Sequence, residues 1–314
     1  MERIDLATAG YLAGWKLVGK LPAGWTAAMF ARGADALSQQ GEGMEMLRRN
    51  FTRVVGPTAV TRALVRDATR SYARYWHEVF RLPQLAGEQR LMRELDAGVE
   101  GRAHIDAALD NGRGLILTLP HSGNWDMAGM WLAHHYGGFA TVAERVKPEA
   151  LFDAFVDFRE QLGFEVLPLT GAATPPFARL KEVLGDGGIV CLMGERDLKG
   201  SGVKVRFFGE GTTMPAGPAK LAMETDAQLA VAHSWYPDPA ARGPRWGFSV
   251  SAPVEVSTLE ATAQRVADEF AANIARHPQD WHALQPIWPA DAQWRNTAHP
   301  RRRQAPGGES GGAA

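Results

Sequence analysis

The hydrophobic rhythm of the chain changes about a third of the way along. Over residues 4–83 apolar side chains recur at helical spacing: Ile4, Tyr11, Trp15 and Val18 share one face, and Trp25 with Met29 marks the apolar side of a second helix that Pro22 can open. Gly41 and Gly43 interrupt that pattern, and Gly56-Pro57 interrupts the next. From Thr61 onward Leu64, Ala68, Tyr72, Tyr75, Trp76 and Val79 supply apolar surface, while Arg62, Arg66, Arg70 and Arg74 follow one another at i, i+4 spacing. After residue 101 short apolar runs take over, at 114–119, 139–143, 164–169, 188–193 and 229–232, each separated from the next by a helical segment.

Buried strands joined by helices predict an α/β fold with a largely parallel central sheet flanked by helices. Residues 203–208 and 246–250 read as further strands at an edge, and 258–276 as a helix stopped by Pro278. The expected organisation is an N-terminal region of amphipathic helices, 1–85, packed on and continuous with an α/β core, 86–298. Residues 299–314, rich in Arg, Gly, Ser and Ala without apolar anchors, read as a disordered tail.

Composition adds limits. With 314 residues, 45% of them hydrophobic, the chain can bury a sizeable core, and 34 Lys+Arg against 35 Asp+Glu argues against a surface built to grip nucleic acid. A single cysteine, Cys191, excludes an intramolecular disulfide framework and any Cys-rich zinc site. No apolar stretch reaches the ~18 residues that a spanning helix requires, since the best candidate, 6–31, is broken by Lys16, Lys20 and Pro22. Glu2 and Asp5 stand where a signal peptide would be positive. The 10 Trp suit either a core or the boundary between water and lipid. The near-zero net charge hides an asymmetry: residues 48–81 hold eight Arg against one Asp and one Glu. That row is either a solvated helix face or a surface drawn to anionic lipid head groups or substrate phosphates.

Candidate chemistry gathers at the strand ends, where ligands bind in open α/β sheets. The first strand runs into His121-Ser-Gly-Asn-Trp-Asp126, the second ends at Glu144-Arg145, the fourth at Glu195-Arg196-Asp197 and the fifth at His233-Ser234. Residues five apart on one helix are rotated ~140° and cannot cooperate, so His121 is expected in the loop and Asp126 in the first turn of the following helix. There the carboxylate would reach back to one ring nitrogen and leave the other as a base. Asn124 can cap the helix and Gly123 can make the turn. The G-x-S-x-G nucleophile signature is absent around Ser122, and Cys191 sits within an apolar strand, so the expected scheme is a base activating an alcohol against an ester or thioester.

His121 and Asp126 in LPHSGNWD match the H-x4-D signature of the glycerolipid-type acyltransferases. The segments SYARYWHEVFRLP (71–83), TVAERVKPE (141–149), CLMGERDL (191–198), VRFFGEGTTMPAGPAKLA (205–222) and DWHALQPIW (280–288) resemble one branch of that superfamily, the bacterial lipid A lauroyl/myristoyl acyltransferases, and within it the members that acylate phosphatidylinositol mannosides. The resemblance covers nearly the whole chain except the tail. It implies transfer of a palmitoyl-like chain from acyl-CoA, a co-substrate rather than a cofactor, to the 6-hydroxyl of the mannose at inositol position 2, with an apolar tunnel for the chain. His121 would be the general base, Asp126 its orienting partner and Glu195 a further acid holding His121 or the acceptor. Glu144, Arg145, Arg159, Arg196 and His282 would bind substrate. No metal and no covalent acyl-enzyme are expected. A monomer bound peripherally to anionic lipid at the cytoplasmic face of the plasma membrane is expected, the membrane contact being motivated by the N-terminal Trp positions and the arginine row. Glu195-Arg-Asp departs from the E-G-T-R form of the glycerolipid enzymes, which disfavours a glycerol phosphate acceptor. Another glycolipid acceptor, such as a lipid A precursor, or a non-catalytic lipid-binding protein of the same fold, are the alternatives.

Overall fold

A computed structural model describes residues 14–15, 17–144, 149–171, 175–197, 200–238 and 240–291. Ile4, Tyr11, Arg145 and the 299–314 tail lie outside the described residues. The helical region comprises α1 (Ala23–Leu37), α2 (Glu45–Val55), α3 (Arg62–Leu85) and α4 (Gln89–Asp96). The remaining elements are β1 (Val99–Glu100), α5 (Arg102–Asp110), β2 (Leu115–Leu119), α6 (Trp125–Tyr136), β3 (Phe139–Ala143), α7 (Glu149–Gln161) and β4 (Phe164–Pro168). They continue with α8 (Pro176–Gly185), β5 (Ile189–Met193), β6 (Val203–Phe207), β7 (Glu210–Met214), α9 (Gly217–Thr225), β8 (Gln228–Trp235), β9 (Gly247–Val250) and α10 (Leu259–Arg276).

Seven strands form one sheet in the order β1-β9-β8-β2-β5-β3-β4, parallel throughout except where β9 runs against β8. Both faces are covered, and the period of two along each strand divides the core between them. Leu115 and Leu117 of β2 pack with Met127, Trp131 and Phe164 on one side. Ile116 points to the other, with Val190, Leu229, Phe270 and Ile274. Thr258 caps α10 by accepting from the Ala261 N–H, and Thr61 caps α3 in the same way through Leu64.

Two expectations are corrected here. Residues 203–208 do not join the main sheet: β6 and β7 form a separate antiparallel hairpin, turned by Phe208 and Gly209, both at positive φ as a two-residue type I′ loop requires. His233 and Ser234 lie inside β8 rather than beyond its end, because that strand extends to Trp235. The arginine row is a solvated helix face whose members also pair within the fold. Arg62 pairs with Glu42, Arg66 with Asp67, Arg70 with Asp35 and Arg74 with Glu78. Arg49 and Arg53 grip the buried Asp291, Arg48 donates to the carbonyls of Gly41 and Gly43, and Arg81 to those of Val18 and Leu21. Every arginine between 48 and 81 is thus engaged by an acid or a carbonyl of the fold.

Candidate active site

The register of the sheet builds the site. In the β2–β5 ladder Leu119 is level with Met193, and His121 and Glu195 each stand two residues further on. Equal offsets beyond a paired rung bring two residues to the same height, and the structure places the His121 Nδ1 2.7 Å from the Glu195 Oε1. The same oxygen accepts from the His121 backbone N–H at 3.1 Å. The approach needs glycine at Gly194, where a Cβ would meet the Thr118 hydroxyl at 2.2 Å. It also needs Gly123, at φ +56, where a Cβ would stand 2.5 Å from the Ser234 carbonyl carbon.

Glu195 is 2% exposed. Burial opposes its charge, but His121 beside it outweighs that and holds the carboxyl below its usual range. A carboxylate can only accept, so Nδ1 carries the proton and Nε2 keeps the lone pair. Among the described residues Nε2 has no hydrogen-bond partner. An imidazole oriented by an acid on one nitrogen and open on the other can take a proton from a hydroxyl.

Asp126 does not orient His121, contrary to the expectation from spacing. It lies in the first turn of α6, 1% exposed, and its carboxylate accepts from the Arg159 Nε at 2.7 Å, the Arg159 Nη2 at 3.1 Å and the Tyr75 hydroxyl at 2.8 Å. Burial disfavours the Arg159 charge, yet Asp126 raises its pKa above the ordinary value. This pair ties α6 to α7 and, through Tyr75, to α3.

A cleft of about 770 Å³ opens at this edge. His121, Glu144, Glu195, Arg196, Arg159 and His282 all reach its wall, so the structure gathers the described members of the expected set there except Asp126, which borders a smaller cavity. Arg196 has a buried Nε without a hydrogen-bond partner among the described residues. The His282 backbone N–H donates to the His121 carbonyl at 2.8 Å, and its ring packs against Tyr72, Tyr75 and Trp125. Burial, with His121 nearby, lowers the His282 pKa to about 3, so its ring is neutral. The rest of the wall is largely apolar, including Trp76, Phe155, Phe177, Leu180 and Leu221. A smaller cavity of about 120 Å³ lies beneath α6 between Leu117, Leu132 and Phe164. Cys191 borders that cavity, and burial pushes its thiol pKa well above the ordinary value.

Two residues of the site were not singled out from the sequence. Tyr75 reads as helix-face packing, although from α3 its hydroxyl reaches the Asp126 carboxylate. Asp280 holds the catalytic loop from below: its carbonyl accepts from the Gly123 N–H at 2.9 Å and the Ser122 hydroxyl at 3.1 Å, while its carboxylate accepts from Ser71. No group of three or more His, Cys, Asp or Glu able to hold a metal ion occurs among the described residues.

Residues 5–289 match the bacterial lipid A biosynthesis acyltransferase family. The chain is 54% identical over 286 residues to the phosphatidylinositol mannoside acyltransferase of Mycolicibacterium smegmatis, covering 90% of this chain and 91% of that protein. It is 50% identical over 297 residues to the protein of the same name from Mycobacterium tuberculosis strain H37Rv, covering 93% and 92%. With a match over most of its length and an acid–imidazole pair at the mouth of an apolar cleft, the chain belongs to the bacterial lipid A biosynthesis acyltransferase family.

Proposed function

We propose that the chain is an acyl-CoA-dependent O-acyltransferase that moves a palmitoyl-like chain to the 6-hydroxyl of the inositol-2-linked mannose of a phosphatidylinositol mono- or dimannoside. The observation that carries this reading is the His121–Glu195 pair opening onto a cleft with apolar walls. The names of the relatives supply the acceptor.

His121 Nε2 takes the proton of the mannose hydroxyl as its oxygen attacks the thioester carbonyl, and Glu195 stabilises the imidazolium that forms. That attack forms the C–O bond of the tetrahedral intermediate; its collapse restores the carbonyl and breaks the C–S bond, and the imidazolium returns the proton to the leaving coenzyme thiolate. No covalent acyl-enzyme intervenes. The acyl chain lies along the apolar wall. Arg196 supplies a cation for a substrate phosphate, and Glu144 and His282 border the acceptor.

The enzyme collects its lipid at the cytoplasmic face of the plasma membrane. Leu17 and Leu21 before the Pro22 break, and Trp25 and Met29 on α1 after it, are exposed apolar side chains, with Trp25 78% exposed. No described helix is long and apolar enough to cross a membrane.

The test supplies palmitoyl-CoA with the mannosylated phosphatidylinositol and a lipid A precursor side by side, following acylated lipid and free CoA. Preferential acylation of the mannoside is expected. Preference for the lipid A precursor overturns the acceptor, and CoA release without acylated lipid makes the chain a thioesterase. Binding of both lipids with no CoA release makes it a lipid-binding protein.

A further inference from the structure

The acid–imidazole pair is only as well placed as the loop that carries His121. That loop ends at Asn124, 1% exposed, whose side-chain amide is used at both ends. Its Oδ1 accepts from the Met127 N–H at 2.9 Å and caps α6. Its Nδ2 donates to the Glu78 Oε2 at 2.8 Å. Asn124 therefore sits three residues after His121 and two before Asp126, and whatever fixes it fixes the angle between the loop and the helix.

Glu78 comes from α3, far from this loop in sequence, and is 7% exposed. Its Oε2 also accepts from the Trp246 Nε1 at 3.0 Å and the Tyr236 hydroxyl at 3.2 Å, and its Oε1 from the Arg74 Nε at 2.8 Å. Arg74 in turn lies 3.7 Å over the Tyr236 ring and donates to the Arg245 carbonyl. Four donors from four parts of the chain converge on one carboxylate. A buried acid is costly to keep unless such donors compensate it, and a fold that needed only packing at this point could place an apolar side chain there. The other ties of the loop are the Gly123 N–H and the Ser122 hydroxyl to the Asp280 carbonyl, the His121 carbonyl to His282 and the Ser122 carbonyl to Ser234. The Glu78–Asn124 bond seats the N-cap of α6, where loop and helix join, while Arg159 and Tyr75 hold Asp126 two residues further on.

We propose that Glu78 is a positioning residue of the acyl-transfer site: by holding Asn124 it sets the orientation of the loop that delivers His121 to Glu195 and to substrate. This assignment rests on the function proposed above only where turnover is measured, because the docking of His121 on Glu195 can also be read without substrate.

The test uses a polarity exchange. Asn124→Asp keeps an oxygen to cap α6 but sets a carboxylate against Glu78, and Glu78→Gln in the same chain offers that carboxylate an amide donor. Each full-length protein is checked by thermal melt, then by the low-field proton resonance of the His121 Nδ1–H and by kcat and KM with palmitoyl-CoA. Asn124→Asp is expected to fold, lose that resonance and drop kcat about 100-fold with the donor KM within about twofold, the signature of a misplaced base rather than of lost binding. Adding Glu78→Gln restores the resonance and recovers at least about tenfold of kcat. The assignment is overturned if Asn124→Asp keeps the wild-type resonance and rate, if its loss follows the unfolded fraction in the melt, or if the second substitution brings no recovery. A wild-type protein that shows the resonance pattern across the variants yet transfers no acyl group overturns the proposed function and leaves the positioning role standing.

Discussion

Arg70 and Arg159 each grip an aspartate with two parallel hydrogen bonds. Arg70 holds Asp35 at 2.6 and 2.6 Å, and Arg159 holds Asp126 at 2.7 and 3.1 Å. The geometry is alike and the surroundings are not. The Arg70 pair lies on the outer face of α3, with side chains 43% and 15% exposed, whereas the Arg159 pair is 21% and 2% exposed beneath the cleft. Water screens the first, so forming it gains little, and removing one partner leaves a charge that solvent can accept. Desolvation makes the second a strut whose halves cannot be separated cheaply. The conspicuous charge of the chain thus lies where it is least consequential, and the consequential charges are the inconspicuous ones.

Substitutions in the two regions can break that contrast. The largest effect is expected from His121→Ala, with acyl transfer falling about a thousandfold or more and the melting temperature hardly moving. Retained turnover would remove the base from the edge of the sheet. Arg159→Met should cost about 3–5 kcal/mol of stability, because it leaves the Asp126 carboxylate buried and unpaired, as read by denaturant unfolding. A loss below 1 kcal/mol would make the two aspartate pairs equivalent.

Asp280 sharpens the comparison through pH. Burial is the main cause that raises its carboxyl from the ordinary 3.8 to about 6, against the Tyr236 N–H, Ser71 and Arg74. Below about pH 3 the group is protonated whether the chain is folded or not. As pH rises the unfolded chain releases that proton first, so folding loses up to about 3 kcal/mol by the time the folded value is passed. Unfolding curves at about pH 3 and about pH 7 should show wild type losing this amount relative to Asp280→Asn, and a constant difference would contradict it. The smallest effect belongs to the row: Arg70→Met should change stability by less than about 1 kcal/mol and leave liposome binding nearly unaltered. A large drop in binding to anionic vesicles would restore the row as a lipid contact.

Much of this layout was legible in the chain. The apolar runs located five strands of the main sheet, and the polar residues after them located His121, Asp126 and Glu195. Pairing was not legible. Asp126 is near His121 in sequence and Glu195 is 74 residues away, yet the ladder between β2 and β5 makes the distant acid the closer one. The register that decides this is a property of two strands together. The partners of the arginine row were hidden for the same reason, since Asp35, Glu42 and Asp291 come to it from other parts of the chain. The Phe207-Phe208-Gly209 turn carried a local signal in its glycine, but a strand of alternating residues looks the same in a hairpin as at a sheet edge.

The shared rung of Leu119 and Met193 also bears on how such an enzyme can change over time. His121 and Glu195 take their relative height from a hydrogen-bonded ladder, so loops downstream of each can lengthen, shorten or exchange without disturbing them. A one-residue insertion upstream, between either strand and its functional side chain, breaks the alignment at once. Segments such as those after β3 and β5 are therefore free to drift, while His121 and Glu195 stay indexed to the sheet like marks on a pair of rulers.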